Sequence, residues 1–155
     1  MPNPNTDFSS GAVLTAAQQN RFPRGVMAYN ATITSDNTIT AEELQITGSS
    51  FTAVANRYYR ITYFEPSLAG NTANMVFDMR IRQTNIAGTI QNNSRVLNNV
   101  GSIFVPTSGL VQAVVTLSAG TTNMVATLAC SAGTGQAGRG GGFVAFLLVE
   151  DIGPT

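Results

Sequence analysis

The sequence predicts an all-β chain: an antiparallel β-sandwich of jelly-roll type with a short N-terminal helical arm. Three observations lead there. From Gly25 onward apolar residues recur at every second position, the period of a strand. The apolar runs are short, eight or nine in number, and separated by Gly, Pro, Asn and Ser, which is the pattern of a sandwich or jelly roll. The chain closes on Phe143-Val-Ala-Phe-Leu-Leu-Val-Glu-Asp-Ile-Gly-Pro-Thr155, an almost unbroken apolar run behind the ten-residue Gly-rich segment 133–142. Bounded by turn residues on both sides, it reads as a strand buried on both faces.

Taken in order, residues 1–24 form an arm and residues 25–155 the sandwich. The arm begins with a Pro/Asn/Ser segment in which only Phe8 has a large apolar group to bury. Thr15-Ala-Ala-Gln18 has the spacing of a capping box, and Pro23 limits the helix that follows to about Arg21. One or two turns are not stable alone in water, so the arm is expected to dock on the domain, a sister subunit or a larger structure.

Strands are predicted at Val26–Ile33, Leu44–Thr47 and Phe51–Val54, with Ala55-Asn56 turning into Arg57–Phe64. There Tyr59, Ile61 and Tyr63 share one face, Tyr58, Arg60, Thr62 and Phe64 share the other, and Pro66 ends the strand. Asn74–Gln83 alternates Met75, Phe77, Met79 and Ile81 with Asp78, Arg80 and Arg82, as a half-buried antiparallel strand does. Residues 84–99 are polar and rich in Asn, and read as a long loop with a short strand at Arg95–Leu97. Further strands are predicted at Ser102–Val105, closed by Pro106, and at Leu110–Leu117, Met124–Ser131 and Gly142–Glu150. Residues 132–142 read as a flexible loop joining the last two.

At 155 residues the chain fits one domain that buries roughly two-thirds of its unfolded surface without a disulfide or metal. Charged residues make up 10% of it, against about a quarter in an average domain. Lys is absent, and eight Arg balance eight acids. Zero net charge argues against nucleic-acid binding, which wants a basic stripe. Sparse surface charge protects poorly against self-association and favours a chain packed on copies of itself. The single Cys130 excludes an intrachain disulfide and reads as a small apolar filler rather than a reactive thiol. No signal-peptide pattern opens the chain, and no apolar run reaches the ~18 residues of a membrane span. A soluble protein made in the cytoplasm is expected, with no membrane partner.

Catalytic chemistry has little to work with. Without His there is no Ser-His-Asp or Cys-His arrangement, and without Lys no amine nucleophile. Carboxylate pairs remain, and glycoside hydrolysis needs two acids about 5–10 Å apart. Glu42-Glu43 and Glu150-Asp151 are sequence neighbours that a strand points to opposite faces. Glu65 and Asp78 flank a strand connection, but Arg80 and Arg82 are equally near, so surface ion pairing is the expectation. Gly133-Thr-Gly-Gln-Ala-Gly138 matches GxGxxG, yet a strand follows where a dinucleotide site needs a helix. No cofactor, metal or catalytic residue is expected. Arg139, the only charge between Ala132 and Gly142, marks that loop as a candidate partner contact. The glycosylation patterns at Asn30 and Asn92 read as coincidence. The aromatics Tyr58, Tyr59, Tyr63 and Phe64 suit a core or a subunit interface better than a sugar platform.

Three segments carry a family likeness: Val149-Glu-Asp-Ile-Gly-Pro154; Gly11-Ala-Val-Leu-Thr-Ala-Ala-Gln-Gln-Asn20 with Pro23-Arg-Gly-Val26; and Phe51-Thr-Ala-Val-Ala-Asn-Arg-Tyr-Tyr-Arg-Ile61. They resemble the small jelly-roll-like structural proteins of tailed phages that infect actinobacteria. In that family the third segment commonly reads Phe-Thr-Ala-Val-Ala-Gly-Arg-x-Tyr-Arg-Ile. Asn56 replaces its turn Gly, and Asn tolerates a left-handed backbone nearly as well. The resemblance implies a non-enzymatic virion protein, a homotrimer, attached through its arm to the major capsid protein or to tail proteins. It implies either a capsid decoration or head-fibre protein, or a minor tail or receptor-binding protein contacting host-surface glycans. Phe8, Val13, Leu14 and Phe22 are the arm residues expected to attach it.

Overall fold

A computed structural model describes Val13 and residues 15–155. Twelve strands and one helical turn occur among the described residues. In chain order they are α1 (Ala16–Gln19), β1 (Gly25–Thr32), β2 (Asp36–Ile39), β3 (Glu43–Thr47), β4 (Phe51–Ala53), β5 (Arg57–Gly70) and β6 (Met75–Gln83). Then come β7 (Ile90–Asn98), β8 (Thr107–Thr116), β9 (Gly120–Thr122), β10 (Met124–Cys130), β11 (Gly135–Ala137) and β12 (Ala145–Pro154).

Two antiparallel sheets face each other. The first runs β1-β12-β5-β8, with β11 and β2 extending it beside the far end of β5. The second runs β3-β10-β6-β7, and β4 pairs with β9 as a small closing ribbon. Alternation dictates which side of each strand is buried. Met75, Phe77, Met79 and Ile81 of β6 are all 0% exposed, and they meet Tyr59, Ile61 and Tyr63 of β5 and Leu147 and Val149 of β12 in one core.

The β-sandwich expectation holds, and several elements differ from the sequence reading. β5 runs through Pro66, because the ladder to β8 slips between Glu65 and Leu68 and asks no N–H of residue 66. β7 is a full nine-residue strand where a loop was expected. It is an edge strand, polar because only β6 pairs with it, and Asn92 Nδ2 donates to the Gln112 carbonyl at 2.6 Å. Residues 102–105 form a turn, with the Val105 N–H bonded to the Ser102 carbonyl, not a strand. β12 alternates buried and partly exposed positions instead of burying both faces.

The stretch 132–142 is not a free loop, since β11 lies inside it between β5 and β2. Gly135 there serves packing. A Cβ on Gly135 would stand 2.5 Å from the Phe77 ring. At the β4–β5 turn Asn56 has φ 60°, the left-handed geometry that its side chain tolerates.

Of the helical arm, the described residues show one capped turn. Thr15 Oγ1 accepts from the Gln18 N–H at 3.2 Å, and Gln18 Oε1 accepts from the Thr15 N–H at 2.9 Å. Phe8 and Leu14 lie outside the described residues. No helix among the described residues is long and apolar enough to cross a membrane.

Candidate functional site

The two outward sheet faces differ in chemistry. On the second sheet the outward positions of β6 are Asp78, Arg80 and Arg82, and Glu42 lies against them. Glu42 receives hydrogen bonds from Arg80, from Arg82 Nε at 2.7 Å and from Thr127 Oγ1 at 2.6 Å. Asp78 pairs with Arg80 and with Arg95 of β7. The Arg82 hydrogen bonds, with help from Thr127 and the charge of Arg80, overcome burial and hold the Glu42 carboxyl at about 2. The centre of this face is charge-compensated, and Leu44, Ile90 and Leu97 are exposed around it.

The outward face of the first sheet carries apolar residues at its centre and one ion pair. Register places Ala31, Phe146, Phe64 and Leu110 in one row across β1, β12, β5 and β8. The next row is Tyr29, Leu148, Thr62 and Gln112, and the next Val26, Glu150, Arg60 and Val114. Phe146 sits between Phe64 and Tyr29, with centroids 5.5 and 6.1 Å away. Tyr29, Leu110, Val114 and Tyr58 are all exposed. The charges in these rows are Arg60 and Glu150, which bond each other at 2.9 Å. Exposed apolar side chains grouped on one sheet face make it the candidate interaction surface among the described residues. The sequence held the signal for it, in the apolar residues on both phases of β12, but read it as double burial within the chain.

The root of the arm is fastened to the sandwich. Arg57, at the start of β5, forms a bidentate pair with Asp151 of β12 at 2.5 and 2.8 Å. The same guanidinium donates to the carbonyls of Asn20 and Phe22, each at 2.6 Å. Burial would raise the Asp151 carboxyl, but hydrogen bonds from Arg57 and from the Gly153 and Arg24 backbones hold it below its ordinary value. Of the predicted attachment residues that are described, Val13 is 89% exposed and Phe22 41% exposed.

Arg139 requires a correction. Its side chain is 3% exposed and faces inward to Glu65, which is 0% exposed. It donates to both Glu65 oxygens, to Gln45 Oε1 and to the Thr34 carbonyl. Tyr63 donates its hydroxyl to Glu65 at 2.6 Å. Burial and then the Glu65 charge push the Tyr63 hydroxyl well above its usual range, so it stays protonated. A guanidinium occupied in this way fastens the Gly-rich stretch to β5 rather than projecting into solvent from a loop tip. Phe143, just after this stretch, is exposed beside an open cleft of about 550 Å³ bordered by Ser67 and Pro106.

Glu65 and Asp78, the acids that flank a strand connection in the sequence, do not pair with each other. Glu65 belongs to Arg139 and Asp78 to Arg80 and Arg95, so Glu65 is a buried partner rather than a surface one. The neighbours Glu42 and Glu43 do diverge, as do Glu150 and Asp151. Glu43 instead meets Asp36 around the Gln45 amide; burial and then Asp36 raise the Glu43 carboxyl. Cys130 is half-buried against the core, with its thiol directed at the Ile39 carbonyl.

No family model and no curated protein matches the chain. Among solved structures it is similar to the Eiger TNF of S. frugiperda, at 9% identity and a TM-score of 0.51, over 85% of this chain and 96% of that one. Two infectious bursal disease virus structures, a VP2 subviral particle and the Gx strain, align at 14% identity with TM-scores of 0.37 and 0.36. The chain spans under half of those two, and superpositions so loose carry no argument. The likeness to the Eiger TNF establishes a shared fold, the antiparallel β-sandwich of jelly-roll type.

Proposed function

We propose that the chain is a non-enzymatic structural protein of a phage virion. In this reading it is a capsid-associated decoration or head-fibre protein that forms a homotrimer and attaches through residues 1–24. One observation carries it: the contrast between the ion-paired centre of the second sheet's outer face and the row of Ala31, Phe146, Phe64 and Leu110 across the first. Water suits the former, and copies of the same chain suit the latter, where Arg60 and Glu150 already neutralise each other. Zero net charge leaves no long-range repulsion between copies. The trimer and the virion setting rest on the phage-protein resemblance of the arm, the Phe51–Ile61 hairpin and the closing strand. The partner of the arm is then the major capsid protein or a tail protein.

A second reading, a minor tail or receptor-binding protein touching host-surface glycans, is favoured by one feature. Phe143 precedes β12 at the end of the sandwich opposite the arm root, where it borders the open cleft; Pro106, also on that border, follows a turn carrying Phe104, 85% exposed. Immunogold electron microscopy of intact virions tests both readings. Label over the heads supports decoration, and label on the tail transfers the proposal to host contact. Virions that carry no label contradict both.

A further inference from the structure

Arg57 has a role that an ordinary sheet arginine lacks. Its partner Asp151 lies on β12, while the carbonyls it binds belong to Asn20 and Phe22, outside every strand. Four hydrogen bonds use most of the five guanidinium N–H donors. Both members of the pair are at most 4% exposed. Asp151 also accepts from the Arg24 backbone, so the pair grips the arm root from both sides. The root contains little regular structure, and its backbone is bound directly by the pair.

We infer that the Arg57–Asp151 pair is a clamp that fixes the arm root to the sandwich, so that the attachment segment leaves the domain in one set direction. The importance of that direction rests on the attachment reading above; the clamp itself can be tested without it. Chains in an oligomer would then present their arms from the same end with fixed spacing. Without the clamp, residues 20–24 would be a swivel.

Lys is absent, so trypsin can cut only after arginines. Arg21 and Arg24 lie within the clamped root, and Arg95, 74% exposed on β7, serves as an internal reference. The variant to compare with wild type is the double substitution Arg57→Met, Asp151→Asn. It leaves no unpaired buried charge and keeps an acceptor for the Gly153 N–H. Cleavage after Arg21 and Arg24 should accelerate at least about tenfold, the factor for losing one charge-assisted hydrogen bond, while cleavage after Arg95 stays constant. An unchanged rate at Arg21 and Arg24 would overturn the clamp. So would a parallel rise at Arg95, which would mean that the pair only supports the fold. Arg60→Met, which breaks the exposed pair in the same strands, should leave all three rates as they are. No virion is needed, so a failed attachment reading and a failed clamp give different results.

Discussion

Phe64 of β5 and Phe146 of β12 stand directly opposite each other in the ladder, with ring centroids 5.5 Å apart, on the side of the first sheet that faces away from the core. Their neighbours in the row are Ala31 and Leu110. A solvated outer face would place polar residues there, as the second sheet does with Asp78, Arg80 and Arg82. The aromatic row is thus the physical basis for assigning the first sheet to an interface.

Arg139 is expected to act on stability rather than on binding. Arg139→Met strands the Glu65 carboxylate at 0% exposure and should destabilise the fold by about 3–5 kcal/mol. Arg139→Met combined with Glu65→Gln should recover much of that, since no buried charge remains. Urea denaturation of the two variants measures the difference. A single variant as stable as wild type would show that the pair contributes nothing.

Gly135 has no room for a side chain, because a Cβ would lie 2.5 Å from Phe77, itself 0% exposed. Gly135→Ala should cost about 1–3 kcal/mol through overpacking, read as a lower thermal midpoint. Gly142, which has open space at its Cβ position, should accept Ala with a change below about 0.5 kcal/mol.

Acid stability should depend on Glu42. Its carboxyl is lowered from 4.5 to about 2 on folding, so the stability it contributes is complete above pH 4.5 and lost as pH falls toward 2. Glu42→Gln should lower stability at neutral pH and flatten the loss across that window. Asp36 and Asp151, also lowered, act in the same direction below their ordinary 3.8, so a residual slope remains. Denaturation midpoints measured from pH 7 to pH 2 supply the test.

Much of the fold was legible because two signals are local. Alternation identified the inward faces of β5 and β6 residue by residue, and Asn56 sits at φ 60° where the turn was expected. What escaped depends on partners distant in sequence. β2 and β11 are three or four residues long and exist because β5 offers them a continuing edge, which no local pattern encodes. β7 is polar because it is an edge, so its composition resembled a loop. Arg139 looked free because Glu65, its partner, lies 74 positions away. The apolar centre of the first sheet's outer face was visible in Phe146 and Leu148, but assigning it outward required knowing what covers each side of β12.

Light-scattering mass measurement on wild type and Phe64→Arg most directly tests the central claim that the first sheet associates with copies of itself. The wild type should show about three times the 16.3 kDa chain mass, and the variant a single chain with its β-sheet circular dichroism intact. A wild type that is monomeric at high concentration, or a variant that keeps the full oligomer mass, would contradict it.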